Sequence, residues 1–161
     1  MKPCPCGGTG YAACCGRYHE GMPAPDAQSL MEPLINKLTS PLSNQKTAAK
    51  CLVISTHPNR QTTPANALVM MRSRYSAYVL ELEPYLLATW HPDTRPASIG
   101  FAKGAKWLGL EIRRFEETKD EAIVEFVARC RIGGKAERMH EISRFTLVDG
   151  NWLYVDGEFP D

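Results

Sequence analysis

The chain has 161 residues, enough for one ordinary domain and a small appendage, and for a sizeable core. Hydrophobic residues make up 43% and charged residues 23%, the balance of a folded globular protein and not of a disordered one. Nineteen basic residues against eighteen acidic ones leave a net charge of +1, so no global field points to nucleic acid, and no apolar run approaches the roughly 20 residues that span a bilayer. The opening Met-Lys-Pro-Cys-Pro-Cys lacks the apolar stretch of a signal peptide, and the expectation is a cytoplasmic protein.

The first element, residues 1–24, is rich in cysteine. Cys4, Cys6, Cys14 and Cys15 cluster there, while Cys51 and Cys130 stand alone and are expected to be isolated and reduced. In a reducing compartment clustered thiols point to metal before disulfide. Gly7, Gly8 and Gly10 let the backbone turn tightly around an ion. Four thiolates at about 2.3 Å give a closed tetrahedral zinc site with no position open for catalysis. His19, four residues after Cys15, is the alternative nitrogen ligand in place of one thiolate. A disulfide between the two pairs, or free thiols, is the competing reading. Such a knuckle is too small to fold without its metal.

Residues 25–64 hold five of the twelve prolines and no aromatic residue. Leu30, Met31, Leu34, Ile35 and Leu38 are spaced for a short amphipathic helix, and 48–54 for another. The rest reads as a long surface connection.

Residues 65–161 carry the core. Thr63-Pro64 predicts a helix start, and Leu68, Met71, Tyr75, Tyr78, Val79 and Leu82 keep its period. Glu83-Pro84 breaks that helix and starts a second, which ends near His91-Pro92, and 98–106 predicts a short third. The period then becomes two. Strands are expected over 107–115, 122–131, 136–148 and 151–156, with two-residue turns at Gly133-Gly134 and Asp149-Gly150. Helices followed by an antiparallel meander make an α+β domain, a curled sheet around its own helices.

Both turns being two residues long, Phe126 falls opposite Glu141, Phe145 opposite Tyr154, and Ser143 opposite Asp156. One face then holds Val124, Phe126, Ala128, Cys130, Met139, Phe145, Leu147, Trp152 and Tyr154, and with them Glu141 and Asp156. Carboxylates on an apolar face need partners. Arg72 and Arg74 on the first helix are the expected ones, with the Tyr154 hydroxyl beside them. His91 is the remaining candidate for a ligand or acid–base role. A polar pocket of Arg72, Arg74, His91, Glu141, Tyr154 and Asp156 is therefore expected. The opposite face collects Arg129, Arg131, Arg138, His140 and Arg144, and sets Arg129 across from Arg138. A bulge would invert these assignments beyond it.

The run Cys-Pro-Cys-Gly-Gly-Thr-Gly-Tyr-Ala-Ala-Cys-Cys-Gly resembles the SEC-C motif, a small zinc-binding knuckle of bacterial proteins. Met71-Arg72-Ser73-Arg74-Tyr75-Ser76-Ala77-Tyr78, Trp90-His91-Pro92, Trp107-Leu108-Gly109-Leu110, Glu141-Ile142-Ser143-Arg144-Phe145 and Trp152-Leu153-Tyr154-Val155-Asp156-Gly157 together resemble the YchJ-like family. That resemblance implies a cystatin-like cone similar to nuclear transport factor 2, and Cys4, Cys6, Cys14 and Cys15 as zinc ligands. Seven residues separate Cys6 from Cys14, where the usual motif has eight, and 25–64 looks like an insertion.

Three functions follow, in order. The first is a non-enzymatic adaptor, its knuckle meeting a protein partner and its cone a small ligand or a second copy in a homodimer. The alternative is an enzyme of isomerase, dehydratase or hydrolase type, with Glu141 or Asp156 as general base and His91 or Tyr154 assisting, by fold-level analogy. Nucleic-acid binding through the arginine face ranks last, because the net charge and sparse lysines argue against it.

Overall fold

A computed structural model of the chain describes residues 2–20 and 63–160. The two helices expected near 30–38 and 48–54, the 25–64 connection up to residue 62, and Cys51 lie outside the described residues. The knuckle turns through Ala12–Gly16, a π-helical turn in which the Gly16 amide donates to the Tyr11 carbonyl at 2.8 Å. It then enters the short α1 (Arg17–His19).

Helix α2 (Ala67–Val79) is capped by Asn66, whose side chain accepts from the Val69 amide at 2.9 Å, and not by Thr63. It closes before Glu83-Pro84. Leu82 N donates to Ala77 O at 2.9 Å and Glu81 N to Tyr78 O at 3.3 Å, with Glu81 left-handed at φ 55°. Helix α3 (Glu83–Ala88) has Pro84 in its first turn. The expected third helix does not form, and 98–105 is irregular. Gly100 and Gly104 account for this, since each costs about 1 kcal/mol in a helix interior.

Strands β1 (Lys106–Glu117), β2 (Glu121–Ile132), β3 (Lys135–Val148) and β4 (Asn151–Glu158) form one antiparallel sheet in chain order. The turns are those expected, with positive φ at both Gly133-Gly134 and Asp149-Gly150. Across the first hairpin Phe126 pairs with Glu141 and Arg129 with Arg138, as predicted, and Val124 pairs with Ser143. The second hairpin keeps its register only as far as Phe145 and Tyr154. There the ladder shifts, so that Arg144 pairs with Asp156 and Ser143 with Gly157. The predicted Ser143–Asp156 pair is corrected by this one-residue bulge at Val155. Two further shifts, at Trp107/Gly109 and Ile112/Arg114, bend β1.

The core lies between α2 and one face of the sheet. Met71 and Tyr75 meet Val124, Phe126, Ala128, Phe145, Trp152 and Tyr154, all buried. Leu147 is partly buried against them, whereas Met139 is 36% exposed at the edge of that face. A smaller cluster joins Tyr18 and Ala77 to Tyr85 and Leu86 of α3. No helix among the described residues is long and apolar enough to cross a membrane.

Candidate functional site

Helix α2 serves two sites because its faces are three or four residues apart. Arg72, Ser73 and Ser76 face the knuckle, and Met71, Arg74, Tyr75 and Tyr78 line a cavity.

On the knuckle side the sulfurs of Cys4, Cys6, Cys14 and Cys15 all lie within 4.8 Å of one another. Cys6 Sγ is 3.5 Å from each of Cys4, Cys14 and Cys15, and Cys14 is 3.9 Å from Cys15. Four sulfurs held at about 2.3 Å from one ion stand about 3.8 Å apart, so the donor set fits a tetrahedral metal ion. A disulfide needs a separation near 2.0 Å, roughly half that found here. The Gly7-Gly8 turn makes the approach: a Cβ on Gly8 would stand 2.6 Å from Cys14 Sγ. Hydrogen bonding from Cys15 holds the Cys6 thiol well below its ordinary range, at about 4. The same contact pushes Cys15 up, and burial raises Cys14 to about 11.

His19, the alternative nitrogen ligand, lies outside the four-sulfur cluster. Its Nε2 donates to Ser73 O at 3.0 Å, and its Nδ1 then accepts the Tyr11 hydroxyl at 2.7 Å. Its ring sits edge-on to Tyr85, and burial holds its pKa below the usual value. Arg72, expected beside Glu141, turns to the knuckle instead and donates to Cys6 O at 3.0 Å. Cys15 Sγ meets Arg72 O at 3.5 Å, and Cys4 Sγ lies 3.6 Å from Ser76 Oγ.

On the other side of α2 is a cavity of 530 Å³, walled mainly by apolar and aromatic side chains including Met71, Tyr75, Trp107 and Phe126. Of the six residues expected there, Arg74, Glu141 and Tyr154 line it, whereas Arg72, His91 and Asp156 do not. Glu141 is 7% exposed, and its Oε1 accepts from Ser143 Oγ at 2.7 Å and from the Tyr154 hydroxyl at 2.9 Å. Burial and the neighbouring Glu141 charge hold the Tyr154 hydroxyl protonated, far above its ordinary range. Arg74 makes no ion pair with Glu141. It donates through Nη1 to Leu86 O at 2.8 Å and Thr89 Oγ1 at 2.7 Å, and its cation lies over the rings of Tyr154 and Trp90. Cys130 also lines the cavity, buried on the core side as expected.

The bulge explains the absence of Asp156. Its carboxylate is on the outer face, paired through both oxygens with the Arg144 guanidinium, and its side chain is 45% exposed. Gly157 takes the place opposite Ser143. A Cβ there would stand 2.7 Å from Glu141 Cδ and 2.8 Å from its Cγ, so the glycine makes the space that Glu141 occupies. His91 stays with β4 by its backbone, donating to Tyr154 O at 2.7 Å, while its ring meets Asp93.

Trp90 belongs to the Trp90-His91-Pro92 run, which in the sequence carries no site role for the indole. Its Nε1 is the one buried side-chain nitrogen or oxygen among the described residues with no hydrogen-bond partner. Its ring lines the cavity against Tyr154. The available signal was chemical: an indole N–H at a helix stop needs an acceptor once buried. The outer sheet face is interleaved with acids. Arg129 donates to Glu111 at 2.9 Å, which relieves its pairing with Arg138, and His140 lies 2.8 Å from Glu125.

A family model described as "YchJ, middle NTF2-like domain" matches residues 66–157. A UPF0225 protein from Chromobacterium violaceum is 46% identical over 162 residues, covering 96% of this chain and 90% of that protein. Another, from Polaromonas naphthalenivorans, is 42% identical over 171 residues, covering 97% and 96%. A SEC-C motif containing protein from Rhodopseudomonas palustris, solved in solution, superposes with a TM-score of 0.66 at 25% identity over 99% of this chain and 100% of that one. The crystal structure of a SEC-C motif containing protein from Psychrobacter arcticus gives 0.63 at 22% identity, over 100% and 84%, a likeness of fold.

Proposed function

The chain belongs to the YchJ-like family, and on that footing we propose that it is a non-enzymatic binding protein in which zinc holds the knuckle and the cavity takes a small ligand. Zinc is favoured because four thiolates complete its preferred shell, and a closed shell suits structure rather than catalysis. Clustered thiols suit a reducing compartment, which supports a cytoplasmic address. The acids that match the arginines on the outer sheet face keep nucleic acid last among partners. The cysteine-bearing side of the knuckle rests on its own α2, so a protein partner would use the outward residues Gly7, Ala12, Ala13 and Arg17, all exposed.

One observation carries the ligand reading: a 530 Å³ cavity walled by apolar and aromatic side chains holds the buried Glu141 and Tyr154 in its lining. The experiment titrates the isotopically labelled full chain with naphthalene and follows amide and indole resonances. Shifts confined to cavity residues such as Trp107, Phe126 and Trp90, with about one zinc per chain by elemental analysis, are the expected result. An unperturbed spectrum at saturating probe would remove the ligand reading, and metal-free protein with freely titrating thiols would remove zinc.

A further inference from the structure

Eight of the fourteen aromatic residues of the chain line this one cavity. They come from α2, from three of the four strands and from the stretches around them, so the fold gathers them there from distant parts of the sequence. Several are fixed by one another. Tyr75 stands edge-on to Trp107 at 5.6 Å, Tyr78 to Phe101 at 6.2 Å and Trp90 to Tyr154 at 4.7 Å. Walls set in place before binding cost a ligand less ordering. Rings also gain more from another ring than the buried area alone supplies. The lining reaches the surface at Ile132, Met139 and Phe159, which are 37%, 36% and 64% exposed, an apolar way in.

The charges of the lining decide what such a ligand carries. Arg74 and Glu141 are both buried, and each already has partners in the protein. Arg74 donates to Leu86 O and Thr89 Oγ1, and Glu141 accepts from Ser143 and Tyr154. Their fields oppose. An anion drawn by Arg74 is repelled by Glu141, and a cation drawn by Glu141 is repelled by Arg74, so neither recovers the cost of leaving water. Trp90 Nε1, the unpartnered buried donor, is sealed from solvent and out of a ligand's reach. A compound without charge, and without polar groups that need a partner, loses nothing in these surroundings. We propose that the cavity binds an uncharged, flat, fused-ring compound, held by contact with its aromatic walls and not by hydrogen bonds. This rests on the ligand-binding reading above and names its chemistry.

The test measures four probes on the full, metal-loaded chain by chemical-shift titration and calorimetry: naphthalene, naphthoate, naphthylmethylammonium and decalin. Naphthalene is expected to bind at least about tenfold tighter than either charged probe. Decalin has the same ten carbons and no π face. Once each affinity is referred to the probe's own transfer from water to hydrocarbon, naphthalene is expected to exceed decalin by about threefold or more. Phe159→Ala removes an exposed ring of the lining, so the fold persists, and is expected to weaken naphthalene about threefold. Glu141→Gln, with its fold checked by circular dichroism, removes one of the two opposed charges and is expected to raise naphthoate affinity while naphthalene stays unchanged. Charged probes that bind as tightly as naphthalene, or a folded Glu141→Gln with no gain of naphthoate, overturn the assignment to uncharged ligands. Equal corrected affinities of naphthalene and decalin, or no effect of Phe159→Ala, overturn the assignment to flat rings. Binding by none of the four overturns the ligand-binding reading itself.

Discussion

Knuckle and cavity share α2 as a common wall, yet they are held by different forces. Residues 2–20 contribute Tyr18 and three buried cysteine side chains to the core, and they meet α2 mostly through sulfur, carbonyl and imidazole. The domain beyond residue 63 is held by the burial of Phe126, Phe145, Val124 and Leu86, each at most 2% exposed. On the zinc reading, the knuckle owes its order to a few local bonds and is lost in one step with its ion. A hydrophobic core loses stability in proportion to what is removed. Helix α2 can therefore be weakened from either side, by unlike treatments.

The largest effect is expected from the knuckle. Chelation, or Cys15→Ser, should release residues 2–20 and remove the contacts of Cys4, Cys15 and His19 to α2. The loss should be several kcal/mol, a large part of the stability of a domain this size, because a structural metal's binding energy is folding energy. Thermal melts followed by circular dichroism, with and without chelator, measure it. Superimposable melts would mean that the two regions are energetically separate and would break the comparison.

A smaller effect comes from paired glycine variants, one in each region. Gly8→Ala sets a Cβ 2.6 Å from Cys14 Sγ, so it should lower metal affinity, read by competition with a chelating dye. Gly157→Ala drives a Cβ into the buried Glu141 carboxylate and should cost about 1–3 kcal/mol with metal content unchanged. Urea titration together with metal analysis separates the two. If Gly157→Ala released metal, the common wall would be transmitting strain between the sites.

The same division decides what could be read from the sequence. The gathering of the four cysteines was legible because a thiol cluster is written in spacing along a short stretch. The first hairpin was legible for a similar reason, since Gly133-Gly134 admits positive φ at both positions and pins the register from Phe126 to Glu141. Arg72 was misplaced because a helix carries two faces, and periodicity alone does not say which one meets a knuckle far away in sequence. Trp90 was passed over because an unsatisfied N–H is visible only once its surroundings are assembled. The bulge at Val155 was illegible in the run Trp152-Leu153-Tyr154-Val155-Asp156, which alternates as a regular strand would. Its cause is tertiary. A regular ladder would put Asp156 beside Glu141 on the aromatic face, whereas the bulge brings Gly157 there and sends Asp156 to Arg144.

Asp156→Asn tests that cause and has the smallest expected effect. In the regular register this carboxylate would be a cavity group, and neutralising it would change ligand affinity and stability together. In the bulged register Asp156 belongs to an outer-face pair with the exposed Arg144, which solvent screens. Arg144 holds the Asp156 carboxyl below its ordinary value, so whatever the pair contributes is present at neutral pH and fades as pH falls through that lowered value. The variant should therefore leave naphthalene affinity unchanged at every pH and shift the urea midpoint barely, if at all, at pH 7. Its midpoint should converge on that of the parent chain as acid protonates Asp156. A clear loss of naphthalene affinity in Asp156→Asn would place the carboxylate back in the cavity and remove the bulge from the account.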